Sequence, residues 1–285
     1  MRNLFLLFVM TLGYFSNAQV KEVNFLGKNW YLHGYDFRIG NSIHSQAYDN
    51  KLPSLVSFPS ENYRASTLEN TEINDWGFDG PSLFTVGFVL RPFYLSDKVW
   101  KRHIEVAHDV ELKRRNIAYF DQTPNPNFDY DYRDYRLKTS HLGYSPKITY
   151  SSPSFLRRFK AYASLYSSLR LPLNGYLYTN PDAKVADPNA RSNYFTIHGT
   201  SYSDRIAAEY FEMCGGAQIG IKMNIHCKWN IHLERNMHTL HSFSKDFTQS
   251  NSGSSQGFRF GIRYMYGTPP TQDAKTLDDD NPVFW

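Results

Sequence analysis

Charged residues that recur at every second position are the first chemical feature of this sequence. Arg91 closes the run LFTVGFVLR. Glu105, Asp109 and Glu111 share one side of HIEVAHDVELK. Lys222 and Glu234 hold matching places in residues 217–225 and 229–234, and Arg259 and Arg263 do so in FRFGIRYMY. Buried charges persist only when they are paired and hydrogen-bonded. These eight residues are therefore expected to form one salt-bridged network inside the molecule. An ion or solute path is the functional alternative, and it needs a wide enclosure.

Other groupings invite chemistry, and each has a plainer explanation. His232, His238 and His241 lie on or just beyond one run. His232 and His238 share a face, but six positions at about 3.3 Å each separate them by about 20 Å. No metal site is expected. His238, His241, Ser242 and Asp246 have the residue types of a hydrolytic triad, with a lipid as the natural substrate. Such catalysis needs the serine within hydrogen-bond reach of a base that a third group orients. Nothing around Ser242 constrains that geometry, and no G-x-S-x-G run is present. A polar loop is expected there. Asp121, Asp129, Asp131 and Asp134 offer oxygens to Ca²⁺, yet lack the central glycine and final glutamate of an EF-hand loop. A solvated loop suited to protein or glycan contact is expected. Cys214 and Cys227 bracket a run that would hold them about 40 Å apart, beyond the reach of a disulfide. No cofactor is implied.

The elements that would hold these residues are strands. Residues 1–18, MRNLFLLFVMTLGYFSNA, read as a secretory signal peptide. Arg2 precedes an apolar run from Leu4 to Leu12, and Ser16 and Ala18 precede Gln19. Beyond it the apolar residues alternate. Phe84, Val86, Phe88 and Leu90 oppose Thr85, Gly87, Val89 and Arg91. Ile104, Val106, Val110 and Leu112 oppose the acids. Runs 29–37, 142–150, 159–171, 217–225, 229–234 and 258–266 complete eight candidate strands, with the faces of 29–37 unassigned. Connections 92–99, 151–155 and 226–228 are short. Connections 38–82, 114–135, 172–213 and 240–256 are long and rich in Asn, Asp, Ser, Gly and Pro.

Strict alternation of short and long connections is explained by an all-β, antiparallel up-and-down transmembrane β-barrel of about eight strands. Such a barrel has short periplasmic turns and long extracellular loops, and an even strand count puts both termini in the periplasm. The better runs meet the roughly 9–11 residues that a tilted strand needs to cross a bilayer. An eight-stranded interior is just filled by side chains, so the charges on the second face become a lumen network. Tyr94, Trp100, Tyr150, Phe159, Trp229, Tyr264 and Tyr266, near strand ends, would form aromatic girdles at headgroup level. His108 and Arg235 fit badly, because both fall on the lipid face. An Arg at the bilayer midplane costs about 2–4 kcal/mol. Rim placement of His108, and a high position or a bulge at Arg235, would relieve them. A soluble secreted β-sandwich is the architectural alternative.

Composition narrows the classes. Of 285 residues, 16% are aromatic, which excludes a disordered chain. Lys and Arg number 31 against 27 Asp and Glu, a net charge of +4, with no basic cluster or motif of a nucleic-acid binder. Past the N-terminus no run of about 18 apolar residues exists for a membrane helix. Two cysteines do not make a disulfide scaffold.

With its signal peptide, alternating strands, alternating loop lengths and final Phe284-Trp285, the chain resembles a bacterial outer-membrane β-barrel of the small OmpA/OmpX-like class. The resemblance covers residues 29–267. The cleavage region SNA before Gln19 is similar to those common in Bacteroidota. The resemblance implies an outer-membrane location, outer-membrane lipid as surroundings, and other outer-membrane or periplasmic proteins as partners. It carries over no functional residue. Such barrels usually end on the aromatic residue of the last strand, whereas Thr268 to Pro282 intervene here. Either residues 268–285 form a short periplasmic tail after a barrel of residues 19–267, or a further strand lies in 38–82, around Leu55-Val56-Ser57-Phe58, in a barrel of ten or twelve. The expected function is that of a structural or interaction protein with a largely plugged lumen, such as an accessory subunit of an envelope complex, and not an enzyme. A narrow pore and a lipid-acting enzyme are the alternatives.

Overall fold

The computed structural model describes residues 22–25, 28–55, 72–73, 82–92, 98–125, 128–156, 158–179, 183–185, 195–197, 202–204, 209–226 and 228–265. Its frame is eight antiparallel strands: β1 (Lys28–Gly40), β2 (Leu83–Arg91), β3 (Ile104–Asn125), β4 (Phe128–Ser151), β5 (Phe159–Thr179), β6 (Tyr210–His226), β7 (Trp229–Ser244) and β8 (Ser250–Met265). Each pairs with its neighbour in sequence. β8 then pairs with β1, from Arg259↔Gly40 to Met265↔Gly34, and the ring closes. All eight expected runs fall on these strands, except that His103 precedes β3 and Tyr266 lies outside the described residues.

Period-2 patterning dictates two faces, and burial assigns them in the reverse of a water-soluble sheet. Arg38, Arg170 and Arg259 are fully buried, whereas Leu165 is 70% and Phe258 58% exposed. A sandwich would bury its apolar face between sheets. A closed ring leaves no unpaired edge and tolerates lipid outside, with polar side chains packed within. The fold is a transmembrane β-barrel.

Several boundaries differ from the sequence reading. Residues 114–135, expected as a loop, continue β3 and β4 as a paired ladder up to Asn125↔Phe128. Cross-strand hydrogen bonding sustains this hairpin where apolar alternation fades. Connection 240–256 shrinks to residues 245–249 for the same reason. Pro172 sits where the β4–β5 ladder shifts register, between Ser140 and His141, as expected of a residue with no N–H to donate.

No further strand enters the ring among the described residues. Segment 38–82 instead lays Ile43–His44 on β8 and Glu72–Ile73 on β3. It also folds a short helix, α1 (Gln46–Lys51), that runs into a 3-10 turn, Leu52–Leu55. That turn occupies the start of the expected strand at Leu55, and positions 56–58 lie outside the described residues. Strands Ala183–Val185 on β4 and Tyr202–Asp204 on β5 widen the sheet beyond the barrel. The expected signal peptide, the tail 268–285 and Cys227 also lie outside the described residues.

Candidate functional site

The lumen is the chemically richest region, and strand alternation builds it. On β3, Glu105, Asp109, Glu111, Lys113 and Arg115 all turn inward, and all are buried. β1 adds Asp36 and Arg38, β5 adds Arg170, β6 adds Glu212 and Lys222, β7 adds Glu234, and β8 adds Arg259 and Arg263. Glycines opposite make room for these long side chains. A Cβ at Gly220 would stand 2.5 Å from the Tyr162 ring, and one at Gly261 would meet His232 and Arg38.

A lower cluster gathers around Glu105. Lys222 Nζ and Arg263 each donate to its Oε2 at 2.8 Å, and Arg91 donates to Oε1 at 3.2 Å. Arg263 also reaches Asp36 at 2.8 Å, and His232 stands 3.8 Å from that carboxylate. An upper cluster begins at Asp109, which pairs with Arg38 and lies 3.6 Å from Lys147. Arg38 donates to Glu234 at 3.4 Å, and the Tyr162 hydroxyl donates to the same carboxylate at 2.9 Å. Arg259 links Glu234 to Glu111. Arg170 donates twice to Glu111, at 3.0 and 3.1 Å, and once to Glu212 at 3.3 Å. Lys113 donates to Glu212 at 2.8 Å.

This chain of charges ends on the loop-borne helix. Arg115 pairs with Asp49 of α1, and its guanidinium lies 4.9 Å from the Tyr48 ring. The Tyr48 hydroxyl bonds Ser242, and Asn251 donates to the Tyr48 carbonyl at 2.8 Å. Tyr48, Leu52 and Leu55 are buried, so the segment forms a plug in the mouth at the end of the barrel that carries the longer connections. Burial, with Arg115 and Lys113 nearby, pushes the neighbouring His44 imidazole well below the usual histidine range.

All eight of the charges expected in the lumen are thus brought together, in two clusters. Asp36, Arg38, Lys113, Arg115, Lys147, Arg170, Glu212 and the plug complete them and were not singled out from the sequence. The triad candidates are not brought together. Ser242 is buried against Tyr48, His241 is exposed on the other face, His238 bonds Tyr166, and Asp246 bonds Ser244. Among the described residues no three His, Cys, Asp or Glu are placed to hold a metal ion. Cys214 is a buried free thiol. The side chains of Asp121, Asp129, Asp131 and Asp134 lie outside the described residues.

On the outer wall, the Trp229 and Tyr264 rings meet at 5.0 Å and those of Phe155 and Phe159 at 6.1 Å, while Trp100 and Tyr150 are exposed. Tyr150, Phe159, Trp229 and Tyr264 lie at the ends of strands joined by the shorter connections, and Trp100 and Phe155 lie in those connections. Tyr94 and Tyr266 lie outside the described residues. Rim placement of His108 is corrected. It stands mid-wall, stacked on Phe88, with Nδ1 2.6 Å from the Tyr144 hydroxyl. A cross-strand hydrogen bond, and not a retreat to water, satisfies it. Arg235 also lies mid-strand with no bulge beside it, between Ile219 and Phe258.

No protein-family model matches the chain, and no curated protein matches it in sequence. Among solved structures it is similar to Neisserial surface protein A, with 9% identity over 83% of this chain and 97% of that one, at a TM-score of 0.30. It is similar to Ail, the attachment invasion locus protein of Yersinia pestis, with 11% identity over 82% and 98% of the two chains, at a TM-score of 0.30. It is also similar to the outer membrane protease OmpT from Escherichia coli, with 9% identity over 88% and 100%, at a TM-score of 0.24. The barrel assignment rests on this chain's own closed ring and inverted wall.

Proposed function

We propose that the protein is an integral barrel of the bacterial outer membrane that works through its surface and not through its lumen. It is a structural or interaction protein, an accessory subunit of an envelope complex, with no catalytic role. The observation that supports this reading is the filling of the interior. Two ion-pair clusters, continued by a docked plug, occupy the space through which a solute would pass. Outside the lumen, the β3–β4 hairpin rises past the membrane belt as a ready platform for a partner.

Fractionation followed by gel migration with and without boiling tests the location. Recovery in the outer membrane with heat-modifiable migration is expected, and recovery in the soluble fraction would overturn the reading. A mild-detergent pull-down then compares the whole chain with one in which residues 117–136 are replaced by a short turn. A stoichiometric partner retained by the first and lost by the second is expected. The absence of any partner from both would remove the accessory role.

A further inference from the structure

The lipid-facing wall is not uniform. On β5 its outward residues Leu165, Leu169, Leu171 and Leu173 are apolar, interrupted only by Ser167. On β8 they run Tyr264, Ile262, Phe260, Phe258 and then turn polar at Gln256, Ser254 and Ser252. Arg235 sits beside this change, paired across the ladder with Phe258. On β7 only Met237 stands beyond it before the outward residues turn polar at Thr239 and His241.

Below Arg235 the wall is hollowed. Ala161 and Ala163 leave a floor without bulk, and Tyr150, Leu233 and Phe258 stand around it, outlining an open hollow of about 610 Å³. That volume is in the range of small-ligand sites. The groove climbs obliquely, because one cross-strand row joins Tyr150, next to the last residue of β4, through Ala163 and Ile219 to Arg235, six residues into β7. It therefore runs from the girdle at one membrane face up to a cation near the top of the local belt.

That cation has no partner of opposite charge. One guanidinium nitrogen donates to the neutral Gln256 amide oxygen at 3.0 Å, and the Phe258 ring lies 5.8 Å away. Among the described residues no carboxylate pairs with it, whereas the basic residues Arg38, Arg170 and Arg263 of the lumen each meet one. An Arg on a lipid-facing wall is costly away from the interface, and a guanidinium binds phosphate with charge-assisted hydrogen bonds. We propose that this groove holds an acyl chain of a phosphate-bearing membrane lipid, whose phosphate is taken by Arg235. The chain covers the apolar hollow, and the headgroup lies against Arg235 and Gln256, where the wall becomes polar.

The test uses the whole barrel in a mild, lipid-free detergent. It is mixed with dimyristoyl phosphatidic acid or with dimyristoylglycerol, the same chains without phosphate, and bound lipid is measured by native mass spectrometry. Wild type is expected to hold phosphatidic acid under activation that strips the diacylglycerol. Arg235→Gln should weaken phosphatidic acid binding about tenfold or more and leave the diacylglycerol unchanged. Ala163→Trp, which fills the groove from the lipid side, should remove both, with Ala161→Leu as a second filling variant. Heat-modifiable migration confirms that each variant is folded. Equal retention of the two lipids by wild type would overturn the proposal, as would phosphatidic acid binding that survives Arg235→Gln. A protein that co-purifies with wild type and is lost on Arg235→Gln would also overturn it, by assigning the groove to a protein partner.

Discussion

Glu111 is one of the most heavily bonded carboxylates of the lumen. Arg170 donates to it twice, Arg259 and Ser168 once each, and all four side chains are buried. Breaking a buried pair by removing one partner costs about 3–5 kcal/mol, because a charge is left uncompensated. Glu111→Gln is therefore expected to lower the urea concentration at which the heat-modifiable form is lost. Removing the Arg259 charge in the same chain should restore part of that stability. A single variant that unfolds like wild type would mean that water already screens these groups. Gly220→Val should fail earlier, at assembly, since its branched side chain displaces Tyr162 from Glu234; pulse-chase accumulation of the folded form reads this out. Alternation alone made the eight lumen charges legible. Asp36 and Arg38 were hidden because the β1–β2 ladder shifts register between Leu32 and Gly34, which breaks the period that would have assigned their face. The satisfied state of His108 was hidden too, since its partner Tyr144 lies 36 residues away in sequence.

At the scale of elements, the plug is the part of this barrel best suited to respond to its surroundings. His44 lies next to it, with ring centroids 5.6 Å from Tyr48. Burial is the main reason its imidazole is held neutral, and Arg115 and Lys113 of β3, His238 of β7 and Arg170 of β5 add to it. Released from the mouth, the same imidazole titrates near about 6.5. The docked state then keeps its full stability above about pH 6.5 and loses it as pH falls, because the released state takes up the proton first. Proteolysis within residues 46–55 is expected to speed up on acidification, and His44→Gln should flatten that response. Strand positions were legible because outward apolar residues must alternate wherever the wall meets lipid. Strand lengths were not, because above the lipid a ladder needs no such pattern. α1 was illegible for another reason: Tyr48, Asp49 and Leu52 find their burial against distant strands, not within their own segment.

For the whole molecule, the filled interior has an electrical consequence. Wild-type protein in planar bilayers is expected to give no resolved conductance steps. Replacing residues 46–55 with a Gly-Ser linker should not create them, because the Glu212, Arg170 and Glu111 layer remains below. Steps of either kind would favour the pore reading. The ring is also unevenly zipped. β3 and β4 pair from Ile104↔Tyr150 up to Asn125↔Phe128, whereas β1 and β8 pair only over Gly34–Gly40 and Arg259–Met265. The strands of that shortest ladder are also the first and the last of the frame to be synthesised. Their pairing closes the ring, and Arg263 gripping Asp36 across it acts as a clasp. With the fewest backbone pairs of any ladder in the ring, this seam is the place where the cylinder is expected to gape first under lateral tension.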